Sequence, residues 1–319
     1  MKRTLYILII ILIAVCIVFA QGCKKKDGDN KEQPPKAEKT LGPVVAGSFY
    51  PSDAQTLREM ILDIFKDTPD LPLGDNLLGV ISPHAGYVHS GPVAAYIYKN
   101  LPKGAFKRVV ILFPSHRARF RGIMALNVDA YRTPLGLVRI DRDSIKKLMA
   151  ADPTVQYKEG VYFQEHSMEV MLPLLQVALG DDFEIIPLMM GDQTPRMAQR
   201  LAKDLHQVFG ARRVLYIASS DMSHYHPYDV ANAVDSRALT DIMNLDELAL
   251  EKDLSTGKAE LCGYGPVLAL MRLVKLRGGG KAKVLKHANS GDTSGNREQV
   301  VGYCSVAFFL RTSPVEDVQ

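Results

Sequence analysis

Arg108-Val109-Val110-Ile111-Leu112-Phe113, followed at once by Pro114-Ser115-His116, is the stretch of sequence that decides the fold. A short, continuous run of β-branched and other apolar residues is typical of a strand that is buried on both faces. Similar runs over residues 77–81, 184–190 and 213–218 predict three more strands of the same kind. Buried strands of this type occur mainly in parallel sheets covered by helices.

Helical patterns separate these strands along the chain. They predict helices over residues 54–65, 93–101, 142–151, 169–178, 196–209, 231–243 and 266–276. Two further strands are predicted over 282–286 and 300–310, and shorter runs between 122 and 138 indicate an antiparallel excursion. The alternation predicts a single α/β domain with a mixed, mostly parallel central sheet and helices on both faces.

The excess of positive charge lies in the first 40 residues of the chain. The formal net charge is +4, but the first 40 residues carry eight basic and four acidic groups, so the remainder is formally neutral. A neutral domain lacks the basic surface that a phosphate backbone requires. We therefore expect no nucleic-acid partner.

The first residues have the composition of an export signal. Lys2 and Arg3 precede an apolar stretch from Leu5 to Ala20, which is shorter than the roughly 20 residues that span a bilayer. The following Ala20-Gln21-Gly22-Cys23 resembles a bacterial lipobox, in which the cysteine is acylated and becomes the new N-terminus. We therefore expect a signal peptide over 1–22 and lipidation of Cys23; an uncleaved signal anchor is the alternative.

Residues 24–40 contain lysines, acidic residues and two prolines but no large apolar side chain. Such a segment cannot offset the entropy cost of ordering, so 23–40 is expected to be a flexible linker between the lipid anchor and a domain over 41–319. The protein is then expected in the cell envelope, attached to a membrane through its N-terminus.

Two of the four cysteines, Cys262 and Cys304, belong to the expected domain. In an exported chain two thiols can form a disulfide. Two cysteines do not make a disulfide scaffold in a domain of this size, so a ligand or reactive role for Cys262 stays open. Cys304 lies in the apolar strand near the C-terminus, where packing in the core is the simpler interpretation.

Three of the eight histidines follow predicted strands. His84, His116 and His224 each come within six residues of a strand end, and Asp221 lies on the same loop as His224. Ligands of α/β sheets bind beyond the carboxyl ends of the strands. Since neutral imidazole is a good ligand for transition metals, the three loops indicate a shared metal site.

Several other site types are not indicated. The sequence has no His-Glu-x-x-His, no phosphate-binding Gly-x-x-x-x-Gly-Lys loop and no Gly-x-Ser-x-Gly elbow. Gly263-Tyr264-Gly265 precedes a helix, but Leu268 stands where the dinucleotide fingerprint has its third glycine. These absences argue against zinc-protease, kinase, dehydrogenase and esterase chemistry.

Six motifs, in order over residues 42–310, resemble the Memo family, whose prokaryotic members are called AmmeMemoRadiSam system protein B. They are Gly47-Ser48-Phe49-Tyr50-Pro51, Ser82-Pro83-His84-Ala85-Gly86-Tyr87, Pro114-Ser115-His116, Glu165-His166-Ser167, Ser219-Ser220-Asp221-Met222-Ser223-His224 and Cys262-Gly263. The resemblance implies a fold like that of the class III (LigB-type) extradiol dioxygenases. Those enzymes hold non-haem Fe(II) with two histidines and a glutamate.

The resemblance also implies roles for individual residues. His84 and His116 correspond to the two histidine ligands, and Cys262 stands in the place of the glutamate. His224 corresponds to the acid/base histidine, with Asp221 as its orienting group or as an extra ligand. The expected cofactor is one transition metal, Fe(II), Cu or Zn, and the thiolate shifts the preference toward Cu(I) or Zn.

His166 and Tyr87 are expected to contact a substrate, which would be a small molecule or a peptide. The resemblance implies a metal-dependent redox or oxygenase-like activity. A thiolate is itself oxidisable, which favours the alternative of a metal- or ligand-binding protein without turnover. The family name also links the chain to AMMECR-type and radical S-adenosylmethionine proteins, although such partners are expected in the cytoplasm.

Overall fold

Five parallel strands form the centre of the sheet in a computed structural model, which describes residues 38–158 and 164–311. In spatial order they are β6 (Gly136–Ile140), β8 (Glu184–Met190), β3 (Arg108–Pro114), β9 (Leu215–Ser219) and β2 (Leu77–Ser82). All six residues of β2 are buried, and Val109 to Phe113 of β3 have no exposed surface. The four buried strands predicted from the sequence are thus the central ones.

Antiparallel strands extend the sheet at both ends. β12 (Val300–Leu310) runs antiparallel to β2 and also pairs with β11 (Gly280–Asn289) and β10 (His224–His226). At the other end, β5 (Ala130–Thr133) runs antiparallel to β6, and β1 (Thr40–Leu41) adds to β5. β4 (Ile123–Ala125) pairs with β8 and with β7 (Val155–Tyr157). The expected mixed, mostly parallel sheet, with its antiparallel excursion between residues 122 and 138, is confirmed.

The helices pack on the sheet in two groups. One group consists of α1 (Ala54–Lys66), α2 (Tyr87–Tyr98) and α4 (Met171–Leu179). The other consists of α3 (Arg142–Ala151), α5 (Pro195–Phe209), α7 (Glu247–Ser255) and α8 (Tyr264–Leu276), with α8 lying over β2, β3 and β9. α6 (Tyr228–Met243) covers β11 and β12, and α9 (Ser290–Ser294) is a single turn. The prediction of an α/β domain with flanking helices is confirmed.

The structure differs from the sequence prediction in several elements. α2 begins at Tyr87 rather than at residue 93 and carries Pro92 within it. The proline removes the hydrogen bond to the carbonyl of Val88, which is 65% exposed, so water can satisfy that carbonyl instead. α7 and the three-residue strand β10 were not predicted, because neither has a long enough apolar pattern.

The expected signal peptide, Cys23 and most of the expected linker lie outside the described residues. Lys39 and Thr40 already belong to the fold: the Lys39 amide donates to Asp129, and Thr40 pairs with β5. Among the described residues, no helix is both long and apolar enough to cross a membrane.

Candidate metal centre

The carboxyl ends of β2, β3 and β9 lie side by side, and the residues that follow them meet beyond the sheet edge. His84 follows β2, His116 follows β3, and Cys262 precedes α8. Their candidate ligand atoms all lie within 4.8 Å of one another. The structure thus brings together the three residues for which the family resemblance implied a common metal; of the three histidines that the loops grouped, it brings together His84 and His116.

His84 is held in one tautomer. Ser219 Oγ donates its only proton to the carbonyl of Ser167 at 2.6 Å. The 2.6 Å contact between Ser219 Oγ and His84 Nδ1 must therefore be a hydrogen bond that the imidazole donates. Burial, reinforced by the nearby His116, lowers the pKa of His84 well below its ordinary value. His84 is thus neutral, with its lone pair on Nε2.

His116 is oriented by Glu165, a residue whose role the sequence analysis did not identify. Glu165 Oε2 accepts the His116 amide at 2.6 Å, and Oε1 accepts Nδ1 at 3.0 Å. Burial would raise the pKa of Glu165, but the hydrogen bonds and charge of His116 lower it to about 2. An ionised carboxylate only accepts, so His116 Nδ1 donates to it, and Nε2 is the nitrogen left to bind a metal.

Glu165 belongs to the Glu165-His166-Ser167 motif, so the sequence already pointed to its position but not to its role. A glutamate just before a predicted helix is more simply explained as the start of that helix, and no local pattern reveals a partner 49 residues away. Its Oε1 also accepts the amides of His166 and Ser167, both at 3.0 Å. His116, Glu165 and His166 are close enough to form a second ligand group. Because the Glu165 oxygens already accept four N–H groups, we assign Glu165 to orienting His116.

Cys262 lies against both His84 and Asp221. Its Sγ is 3.4 Å from His84 Nε2 and accepts the Asp221 amide at 3.2 Å. Burial, and next the charge of Asp221, raise the pKa of the thiol far above its ordinary range, so without a metal it is protonated. Cys262 and Cys304 are both free thiols; Cys304 is buried in β12 opposite His287.

A close backbone approach fixes the position of Cys262. A Cβ on the next residue, Gly263, would lie 2.0 Å from the carbonyl oxygen of Ser219. The Gly263 amide also donates a hydrogen bond to Ser220 Oγ, at 3.0 Å. The start of α8 therefore rests directly on the loop after β9, and only glycine allows this contact.

Asp221 is buried beside His84. Its Oδ1 accepts the His84 amide at 2.8 Å, and its Oδ2 is 3.8 Å from His84 Nε2. Burial raises the pKa of Asp221 to about 7, although the hydrogen bond from His84 opposes this. Asp221 therefore exchanges a proton near neutral pH, next to the candidate ligands.

His166 and His224 lie at different edges of the site. The His166 ring stacks on His116 with centroids 5.1 Å apart, and it meets the edge of Phe49 at 5.0 Å. His224 is in β10, and its amide donates to Glu260 at 3.3 Å. Burial lowers the pKa of both imidazoles. Neither belongs to the His84, His116 and Cys262 group.

Tyr87 lies in the core, and the structure does not support its expected contact with a substrate. Its side chain is 1% exposed, its hydroxyl donates to the carbonyl of Val170 at 2.7 Å, and its ring packs against Tyr50. As the first residue of α2, its side chain is directed into the helix layer formed with α4. Its ring therefore packs in the core, and its hydroxyl is occupied by a hydrogen bond there.

The donor set fits a transition metal. With bond lengths of about 2.0 Å to nitrogen and about 2.3 Å to sulfur, tetrahedral geometry separates the two ligands by about 3.5 Å. The observed distance between His84 Nε2 and Cys262 Sγ is 3.4 Å. Both histidines also donate Nδ1–H to a fixed acceptor, an arrangement typical of metal-binding histidines. The site can hold one ion with two nitrogens and a sulfur.

Comparisons with known proteins identify the family of the chain. The Memo-like protein family matches residues 42–307. A MEMO1 family protein of Ignicoccus hospitalis is 38% identical over 283 residues, which cover 84% of this chain and 98% of the relative. One from Saccharolobus islandicus is 39% identical over 280 residues, which cover 83% and 98%.

A solved structure of an uncharacterized protein from Escherichia coli K12 superposes with a TM-score of 0.46 and 14% identity. The superposition covers 72% of this chain and 99% of that one. The match of the Memo-like family over most of the chain, together with relatives near 40% identity, shows that this chain belongs to the Memo family.

Proposed function

We propose that the protein is a metal-dependent redox protein, in which His84, His116 and Cys262 hold one transition metal. The observation that carries the proposal is that the two Nε2 lone pairs and Sγ converge, while each Nδ1 is occupied by a fixed acceptor. Two imidazoles and a thiolate favour Cu or Zn, whereas Fe(II) usually has a carboxylate in the place of the sulfur.

A bound Cu or Fe ion would supply one-electron or oxygen chemistry at this position. Asp221, whose carboxyl is 3.8 Å from His84 Nε2 and whose pKa burial raises to about 7, is the nearby group that can take up the proton that Cys262 loses when its thiolate forms. His224 is then the group available to exchange a proton with a bound substrate, because burial keeps it neutral near pH 7. His166, stacked at the mouth beside His116, would bind or orient that substrate.

Metal content of the purified protein tests the site directly. We expect about one equivalent of a transition metal per chain in the wild type and a strong loss in His84→Ala. The matched control is His89→Ala, because His89 contacts Thr293 and is outside the ligand group. Equal metal content in wild type and His84→Ala would refute the assignment.

Activity is tested separately, by oxygen uptake of the metal-loaded protein with catechols. Uptake that falls in His224→Ala while the metal content is kept would support the role of His224 in proton transfer. Undiminished turnover in this variant would exclude that role.

A second function, metal or ligand binding without turnover, is favoured by one specific observation. The residue in the place of the dioxygenase glutamate is a thiol, which oxygen chemistry would itself oxidise. Metal bound at one equivalent with no oxygen uptake would support this function over the redox one.

We also propose that the chain is exported and lipid-anchored through Cys23, with the domain held in the cell envelope. The support is the basic, apolar and lipobox-like order of residues 1–23.

A further inference from the structure

A cavity of about 530 Å³ adjoins the candidate metal centre on the side of α7 and α8. Most of its wall is apolar and includes Met222, Leu254, Leu261 and Leu268. Binding sites for small molecules typically measure 300–1,000 Å³ and combine apolar walls with a few polar groups. The cavity has the size and the lining of such a site.

Two residues connect the cavity to the site. Cys262 and His224 both line it, and Cys262 is the sulfur ligand of the candidate metal group. Met222, two residues before His224, also lines the cavity and is completely buried. A molecule in the cavity therefore lies beside the sulfur and beside the imidazole proposed to transfer protons.

The charged residues of the lining indicate which class of ligand the cavity can bind. Its described lining includes two carboxylates, Glu251 and Glu260, and no lysine or arginine. Glu251 forms an ion pair with Arg272, which compensates its charge. Glu260 is 35% exposed at its side chain and contacts His226 at 2.8 Å. Glu260 thus gives the cavity a negative charge next to His224.

We propose that this cavity binds an apolar small molecule that carries one amino group, with the ammonium at Glu260 and the apolar body between α7 and α8. The role of the cavity as the substrate pocket of the metal centre rests on the proposed function. Its role as a binding site does not. An anionic molecule of the same shape is disfavoured, because its charge would be buried near Glu260 without a cationic partner.

A pair of probes that differ only in charge tests the ligand class. 4-Phenylbutylamine and 4-phenylbutyrate have the same apolar body, and their binding to the full-length protein is measured by calorimetry with and without metal. We expect the amine to bind at least about tenfold more tightly than the acid. Equal affinities, or tighter binding of the acid, would overturn the proposal.

Two variants locate the binding. Ser255→Trp places a large ring in the lining, and the matched control is Leu248→Trp, on the same helix at a residue that is 72% exposed and outside the lining. Ser255→Trp should abolish amine binding, and the control should preserve it. Glu260→Gln should remove the preference for the amine. Amine binding that is the same in all variants would show that it occurs elsewhere and would refute the site.

The Co(II)-loaded protein separates this inference from the proposed function. A probe beside Cys262 should perturb the visible spectrum of the bound Co(II), and Ser255→Trp should prevent the perturbation while the metal content is unchanged. Loading with metal but no response to the amine overturns the cavity proposal and leaves the metal site standing. Amine binding without any metal uptake refutes the metal site and supports the cavity as a binding site alone.

Discussion

The hydroxyl of Ser219 determines which nitrogen of His84 carries the proton, since it donates to Ser167 and can only accept from Nδ1. Ser219→Ala removes that acceptor, so His84 no longer has a fixed tautomer. We expect an affinity for Zn²⁺ or Co²⁺ about 10- to 100-fold lower, as found when similar supporting contacts are removed. Competition with a chromophoric chelator measures this loss.

Two further serine variants separate the hydroxyl from general packing. Ser219→Thr keeps a hydroxyl and should retain most of the affinity. Ser223→Ala is the matched control: Ser223 is also fully buried on the loop after β9, but its hydroxyl finds no partner among the described residues. If Ser219→Ala binds metal as tightly as Ser223→Ala does, the tautomer argument fails.

The ionisation of Glu165 makes the stability of the fold depend on pH. Its pKa is lowered from 4.5 to about 2 in the fold, so its charge stabilises the folded protein above about pH 4.5. This stabilisation is lost as the pH falls toward 2. We expect Glu165→Gln to cost at most about 3 kcal/mol in free energy of unfolding at pH 7 and at most about 2 kcal/mol near pH 3, where the folded-state carboxyl is still mostly ionised. Urea unfolding at both pH values measures the difference.

The control for Glu165 is Glu59→Gln, on the exposed side of α1, where the carboxylate accepts a hydrogen bond from Gln55. Its effect should be small at both pH values. A penalty for Glu165→Gln that stays constant between pH 7 and pH 3 would mean that lost packing, not lost charge, is responsible.

At the scale of elements, the contact between α8 and the loop after β9 places the sulfur. Gly263→Ala puts a Cβ 2.0 Å from the Ser219 carbonyl oxygen, so α8 or the loop must move. Overpacking of this kind costs about 1–3 kcal/mol, and the displacement carries Cys262 away from His84. We expect a lower midpoint of unfolding together with weaker metal binding.

Gly42→Ala is the matched control for Gly263→Ala, because a Cβ on Gly42 would have no atom within 4 Å and its φ is not positive. It should change neither stability nor metal content. Unchanged metal binding in Gly263→Ala would show that the position of Cys262 does not depend on this contact.

The elements also show what a sequence can and cannot predict. The central strands were predictable, because burial on both faces leaves a continuous apolar run, as in β3. β10 was not, since its three residues include two histidines and the exposed Tyr225, whose positive φ of 62° belongs to a bulge against β12. α7 has few buried positions, only Leu250 and Asp253, so no apolar face marks it.

At the scale of the whole molecule, the meeting of His84 and His116 was predictable because both follow parallel strands. Cys262 is different: its approach depends on α8 crossing back over the sheet, and only the family resemblance pointed to it. The order of the strands in space, with β9 between β2 and β3, sets these distances and leaves no local trace in the sequence. Long-range partners such as Glu165 escape prediction for the same reason.

The distribution of charge over the whole chain indicates two parts with different environments, a basic N-terminal segment and a neutral domain. If Cys23 is acylated, a fatty-acid analogue supplied to expressing cells should label the wild-type protein, which should sediment with membranes. Cys23→Ser should lose both properties, because the acyl chains would supply the membrane affinity. Cys16→Ser is the matched control, since Val15 before it is not the small residue that the lipobox pattern requires. Labelling that persists in Cys23→Ser and disappears in Cys16→Ser would place the acylated cysteine at position 16. A wild-type protein that sediments with membranes but carries no label would leave residues 1–22 as an uncleaved signal anchor.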